Sequence, residues 1–227
     1  MGPNYAKDEL LVGVIVYDMH EVLDLIGPTA YLEMLPLARQ RVRIVTVSNR
    51  VGVMEPDNIV PVHARASYVD APTKFDALVI PGGFGDRKVI KDKAFCDYIK
   101  RAVEDSTFVL SVCTGAKILA SIGVLDGRRA TTNKMEYRSI SNTYPAVAWV
   151  PRARWVVDGK FWTSSGISAG LDMGYAFVAD QYGEEVADKI ACFLEIVPNK
   201  DPSNDPFAFT IDQPEPDFSF MQYFNLP

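Results

Sequence analysis

The chain has 227 residues, 48% apolar and 23% charged, with a formal net charge of -6 and a pI near 5.0. That size and apolar content fit a single domain with a full core. The acidic balance, with no basic stripe or polybasic arm, argues against nucleic-acid or anionic-membrane partners.

Two histidines and three widely spaced cysteines make neither a histidine-rich metal site nor a disulfide framework. No apolar run reaches signal-peptide or membrane-spanning length. A reducing, cytoplasmic setting is therefore expected, with no metal.

The β-branched run LVGVIVY (11–17) reads as a buried strand. PTAYLEMLPLAR (28–39) reads as a helix opening on Pro28. VRIVTVS (42–48) is a second strand, and 50–73 suggests a hairpin or short strands. FDALVIPGG (75–83) is a third strand, stopped by Pro-Gly-Gly. Apolar positions in 86–105 recur at helical spacing. TFVLSVC (107–113) is a fourth strand, and 114–125 a short helix.

RWVVDGKFWTSS (154–165) reads as a hairpin turning at Asp158-Gly159, followed by helices over 168–183 and 184–197. Alternating strands and helices predict an α/β fold, a mainly parallel sheet with helices on both faces. One domain is expected over 1–227, with a core at about 10–197. The remainder, 198–227, carries five Phe and one Tyr, so it reads as an arm on the body or on a partner subunit.

Four segments follow strands on one sheet edge, where sites of parallel sheets form. Cys113 ends the fourth strand. It is either a small core residue or a nucleophile whose thiolate is favoured by the start of the next helix. Cys96 and Cys192 lie inside amphipathic helices and read as structural.

VIPGGFGD (79–86) is a plain Pro-Gly turn or an oxyanion nest using Gly82 and Gly83. It lacks the dinucleotide fingerprint and the phosphate-loop pattern. Asp24 stands between Leu23 and Leu25. It is either a helix-start residue or a carboxyl whose raised pKa keeps it protonated beside a thiolate. Asp18 and Glu21 read as solvated loop charges, and His20 as a surface residue. TSSGISAGLD (163–172) is a helix start, either pocket-lining or simply capped by Ser168.

Taken together, PGGFG, SVCTGAKILASIGVLDGRRATTN, LDLIGP and TSSGISAGLD resemble the ThiJ/PfpI superfamily in order and spacing. Within it they look most like the isocyanide hydratase branch. The resemblance implies a flavodoxin-like sandwich, a homodimer, no cofactor and a small-molecule substrate. It implies Cys113 as nucleophile, Asp24 as the facing acid and Thr114 as a positioning residue. Gly82, Gly83, Gly27, Asn133, Ser165, Gly166 and Ile167 would line the oxyanion and substrate site.

Where the hydratase pattern commonly reads ATTHW, this chain has ATTNK, so Asn133 replaces a histidine. That loss argues against glyoxalase chemistry.

The leading expectation is hydration of an isocyanide to an N-formamide through a thioimidate on Cys113. One alternative is another covalent-thiol lyase or hydratase acting on a reactive carbonyl or metabolite intermediate. The other is a redox sensor or ligand-binding module without turnover. Ile26, Met135, Tyr137 and the tail aromatics are the residues expected to choose the substrate.

Overall fold

The computed structural model describes residues 7–54 and 60–214. Seven strands form one sheet: β1 (Glu9–Ile15), β2 (Arg41–Ser48), β5 (Ala66–Ser67), β6 (Ala77–Ile80), β7 (Phe108–Val112), β10 (Trp155–Asp158) and β11 (Phe161–Ser164). Their order is β10-β11-β7-β6-β1-β2-β5. All neighbours are parallel except the β10–β11 hairpin. The short pairs β3 (Gly52–Met54) with β4 (Val62–Ala64), and β8 (Arg129–Ala130) with β9 (Ala148–Trp149), stand apart. This is the predicted architecture.

The helices are α1 (Val22–Glu33), α2 (Asp86–Val89), α3 (Lys93–Asp105), α4 (Gly115–Ser121), α5 (Tyr137–Thr143), α6 (Ala169–Tyr182) and α7 (Glu184–Phe193). Side chains alternate across the sheet, so each buried strand feeds two cores. Val12, Val14, Leu110 and Val112 pack with Tyr31 of α1 and Met173 of α6. Ile15, Leu78, Ile80 and Val109 pack with Ile99 of α3 and Ile118 of α4 on the other face. Each fully buried aliphatic side chain contributes about 1.5–3 kcal/mol relative to exposure.

Two helix boundaries differ from expectation. α1 starts at Val22, six residues before Pro28, which sits inside it. The Glu21 side chain accepts the Leu23 N–H at 3.3 Å and caps the helix early. Pro28 is tolerated because α1 is held by packing on α6. The 86–105 segment is two helices, because Asp92 accepts the Phe95 N–H at 3.1 Å and starts a new one.

The α1–α6 crossing is close. A Cβ on Gly27 would lie 3.1 Å from the Gly170 carbonyl carbon, and one on Gly174 would lie 3.0 Å from Pro28 Cα. Gly27 is therefore a helix-packing residue and not the pocket-lining one expected. Its small size brings the first turn of α1 and the start of α6 to the same end of β7.

The C-terminal arm lies on the body as far as it is described. The Arg154 N–H donates to the Pro202 carbonyl at 2.7 Å, and a short 3-10 turn follows at Ala208–Asp212. Phe218, Phe220, Tyr223 and Phe224 lie outside the described residues.

Candidate active site

Cys113 follows β7 directly, with φ at 58°, a conformation L residues seldom adopt. Neighbouring groups hold it there. Its N–H donates to the carbonyls of Ser165 at 3.1 Å and Ser164 at 3.3 Å. Its own carbonyl accepts from Thr132 Oγ1 at 2.9 Å. Gly115, next but one, has no room for a Cβ, which would collide with the Ile80 carbonyl oxygen.

Three donors face the sulfur. Asn133 Nδ2 donates to Sγ at 3.1 Å, and the backbone N–H groups of Thr114 and Ile167 also turn to it. Asn133 Oδ1 accepts from the N–H groups of Met135 at 2.8 Å and Glu136 at 3.3 Å. Those contacts fix the amide so that its NH₂, and not its oxygen, meets the sulfur.

The thiol nevertheless has its pKa raised well above the ordinary value, first by burial and then by the Asp24 carboxylate, against the pull of these donors. Burial thus opposes the thiolate that the helix start would favour. Cys113 is buried and α4 is only seven residues long, so desolvation outweighs the helix start. The resting group is a neutral thiol.

Asp24 lies in the first turn of α1 and is fully buried. Burial raises its pKa to about 8, and Glu21 adds to this, whereas the Gly82 N–H and the Cys113 thiol oppose it. Oδ2 accepts the Gly82 N–H at 2.9 Å. Oδ1 is buried with no hydrogen-bond partner among the described residues. A protonated carboxyl is consistent with this setting, with Oδ2 accepting from Gly82.

Gly82 and Gly83 do not form the expected oxyanion nest, because their N–H groups are already used. The first serves Asp24, and the second donates to Thr114 Oγ1 at 3.0 Å. The Thr114 hydroxyl also meets the buried Asp86 carboxyl, which Lys117 Nζ pairs at 3.0 Å. The glycines are needed for space. A Cβ on Gly82 would lie 2.5 Å from the Thr114 nitrogen and 3.0 Å from Asp24 Oδ2. The donors available for developing charge are those of Thr114, Ile167 and Asn133.

Ser165 supplies backbone, and Gly166 and Ile167 supply the wall of a cavity of about 250 Å³ that also takes in Asn133, Met135 and Phe207. A larger cavity of about 420 Å³, lined by Arg129, Val150, Arg152 and Trp155, contains none of these groups. Among the described residues no cluster of His, Cys, Asp or Glu suits a metal ion, and no helix is long and apolar enough to cross a membrane.

Several placements differ from expectation. His20 is buried, with Nδ1 2.6 Å from the Tyr17 carbonyl oxygen and its pKa lowered by burial. Glu21 caps α1, and Asp18 pairs with Arg50 at 2.6 Å. Ser168 gives α6 no cap and instead meets Arg154 at 3.1 Å. Cys96, buried, and Cys192, exposed, instead agree with their expected core or surface reading. Tyr137 packs edge-on against Trp149, outside the cavity.

One network was not expected from the sequence. Lys134 and Arg154 are buried, and both approach Asp205 of the arm at 3.6 Å. Arg154 Nε also donates to Asp172 at 2.7 Å. A run of backbone hydrogen bonds joins this anchor to the nucleophile position. Arg154 N–H reaches Pro202 at 2.7 Å, Ser165 N–H reaches Arg154 at 2.8 Å, and Cys113 N–H reaches Ser165 at 3.1 Å.

Comparison with known proteins bears on the family and the fold. The family model described as the DJ-1/PfpI family matches residues 11–180. The chain is 29% identical over 192 residues to an isonitrile hydratase of Pseudomonas putida, covering 83% of this chain and 79% of that protein. It is 30% identical over 159 residues to a deglycase of Pyrococcus abyssi, covering 70% of this chain and 90% of that one. A crystal structure of a ThiJ/PfpI family protein from Pseudomonas syringae superposes with a TM-score of 0.76 at 23% identity, covering 99% of this chain and 90% of that one. A strained cysteine at the end of a parallel strand, faced by a buried acid, thus lies within a match that spans the sheet: the chain belongs to the DJ-1/PfpI family.

Proposed function

We propose that the protein hydrates an isocyanide to an N-formamide, using Cys113 as nucleophile and Asp24 as acid. The observation that carries this reading is the fully buried Asp24 carboxyl, in side-chain contact with the Cys113 thiol and with its pKa raised by burial. Similarity to the Pseudomonas putida isonitrile hydratase supports the substrate class.

The sulfur attacks the terminal carbon of R–N≡C and forms the S–C bond. Asp24 gives its carboxyl proton to that carbon and takes up the thiol proton. The product is a thioimidate, S–CH=N–R. Water adds to the same carbon, the S–C bond breaks, and R–NH–CHO leaves with the thiol restored.

The N–H groups of Thr114 and Ile167 and the Asn133 amide meet negative charge only as it develops on sulfur. They therefore favour the transition state over the neutral resting thiol.

The test is formamide production from a panel of isocyanides, with intact mass to trap the thioimidate. Cys113→Ala and Cys113→Ser are expected to lose turnover by about 10³-fold or more. Full activity in Cys113→Ala would remove the nucleophile assignment. Similarity to the Pyrococcus abyssi deglycase favours a second reading, thiol addition to a reactive carbonyl. Silence with every isocyanide and turnover of an α-oxoaldehyde would select it.

A further inference from the structure

We propose that Lys117 is a positioning residue for the reaction at Cys113, holding Thr114 and Asn133 to the sulfur through the two carboxylates it bridges, Asp86 and Glu136. The proposal rests on Cys113 as the nucleophile in the reading above, and not on which substrate the sulfur attacks.

The bridge joins three segments. Lys117 lies on α4, one turn after Cys113, and its Nζ pairs with Asp86 Oδ2 at 3.0 Å. The same nitrogen lies 3.9 Å from Glu136 Oε2, which Arg87 approaches at 3.5 Å. The Asp86 side chain is fully buried, and those of Lys117 and Glu136 are 14% and 12% exposed. Burial raises the Asp86 pKa, and Lys117 is the largest influence against that rise.

Each carboxylate leads to one donor on the sulfur. On the first side, Thr114 Oγ1 meets the Asp86 carboxyl and accepts the Gly83 N–H at 3.0 Å. A hydroxyl tied on two sides fixes the residue whose backbone N–H turns to Sγ. On the second side, the Glu136 N–H donates to Asn133 Oδ1 at 3.3 Å, and Asn133 Nδ2 donates to Sγ at 3.1 Å. Holding the Glu136 side chain therefore holds its backbone against the Asn133 amide.

Stability alone does not account for the arrangement. Apolar side chains of similar volume often serve a buried position as well as an ion pair does, because charges must leave water to form the pair. They cannot orient a hydroxyl on one side and a second carboxylate on the other. An ammonium can do both, since it carries three donors.

The experiment measures alkylation of Cys113 by iodoacetamide near pH 7. It is read by intact mass in a Cys192→Ser background, with Cys113→Ala as the blank. Sulfur bonds to the methylene carbon, iodide leaves, and the thiol proton passes to water. The variants are Lys117→Met, the neutral pair Asp86→Asn with Lys117→Met, and Glu136→Gln, each with and without Asn133→Ala. Lys117→Met alone strands a buried carboxylate and can fail to fold, whereas the neutral pair leaves no charge at position 86. Thermal midpoints report folding.

With Asn133 present, Lys117→Met and the neutral pair are expected to slow alkylation about tenfold, and Glu136→Gln about threefold. In Asn133→Ala the Glu136→Gln effect should vanish, and the Lys117 effect should shrink to about threefold. Isocyanide kinetics should show the loss in kcat, with KM held within about twofold. Wild-type alkylation in the folded neutral pair overturns the proposal. So do effects of equal size with and without Asn133, which would mark a general loss of packing. If neither lysine variant folds, a wild-type rate in Glu136→Gln overturns it.

The two readings fail separately. No isocyanide turnover in the wild type, with the alkylation differences intact, keeps the positioning role and sinks the hydratase reading. Isocyanide turnover, with wild-type alkylation in every variant, does the reverse.

Discussion

Asp24→Asn offers a direct measure of the protonation state on which the chemistry depends. Asn keeps the shape, can accept the Gly82 N–H with its oxygen, and sets an NH₂ where Oδ1 has no partner. It is a permanent copy of the protonated carboxyl. The unfolded chain ionises this aspartate near pH 3.9, whereas in the fold it titrates at about 8.

A raised folded pKa favours the fold below the unfolded value, and that advantage is lost as pH rises through the folded value. Wild-type stability should therefore fall by about 1.4 kcal/mol per pH unit between about pH 4 and about pH 8 from this group alone. The asparagine variant escapes that loss. By pH 7, about three pH units above the unfolded value, it should be more stable by up to about 4 kcal/mol. Near pH 4 the two proteins should match.

Urea unfolding at pH 4.5, 6, 7 and 8, fitted for midpoint and slope, gives the difference directly. A stability gap that does not grow with pH, or a variant less stable than wild type at pH 8, would show that Asp24 is ionised in the fold. The acid role would fall with it. The same variant should make almost no formamide, because an amide has no proton to give at this pH.

Other outcomes follow from the same site. Wild-type kcat/KM should fall as pH rises through about 8, where Asp24 loses its proton. A profile still climbing at pH 9 would contradict an acid at this position. Asn133→Ala removes one donor to sulfur and should slow both turnover and Cys113 alkylation about tenfold. Equal rates in the two proteins would mean the amide does not stabilise the developing thiolate. Gly82→Ala drives a methyl group to 2.5 Å from the Thr114 nitrogen and 2.6 Å from its Oγ1. It should cost about 1–3 kcal/mol of stability, read as a lower thermal midpoint.

Much of the frame was legible because its signals are local. The β-branched runs at 11–17, 42–48, 75–83 and 107–113 sit on four of the central strands, to within a few residues. Cys113 and Asp24 stood out because each breaks a pattern, the first at a strand end and the second between two leucines. The rest depends on what approaches from elsewhere in the chain. The raised thiol pKa follows first from burial, which the strand-end position alone does not reveal. The fates of the Gly82 and Gly83 amides are fixed by Asp24 and Thr114, which no turn pattern reveals. Lys134, Arg154 and Asp205 look like ordinary surface charges until three distant segments close over them. Pro28 misplaced the start of α1 because helix packing on α6 outweighed its usual position.

The backbone path from Pro202 through Arg154 and Ser165 to Cys113 gives the arm a second meaning. Proteins open locally in contiguous cooperative units, and successive backbone hydrogen bonds make these segments contiguous. The arm and the strained turn that presents the sulfur are linked through three such bonds. Fraying that begins at the C-terminal side would reach the Cys113 amide through the hairpin, without first melting the central strands. Hydrogen exchange at the Ser165 and Cys113 amides is therefore expected to track opening of the arm at Pro202.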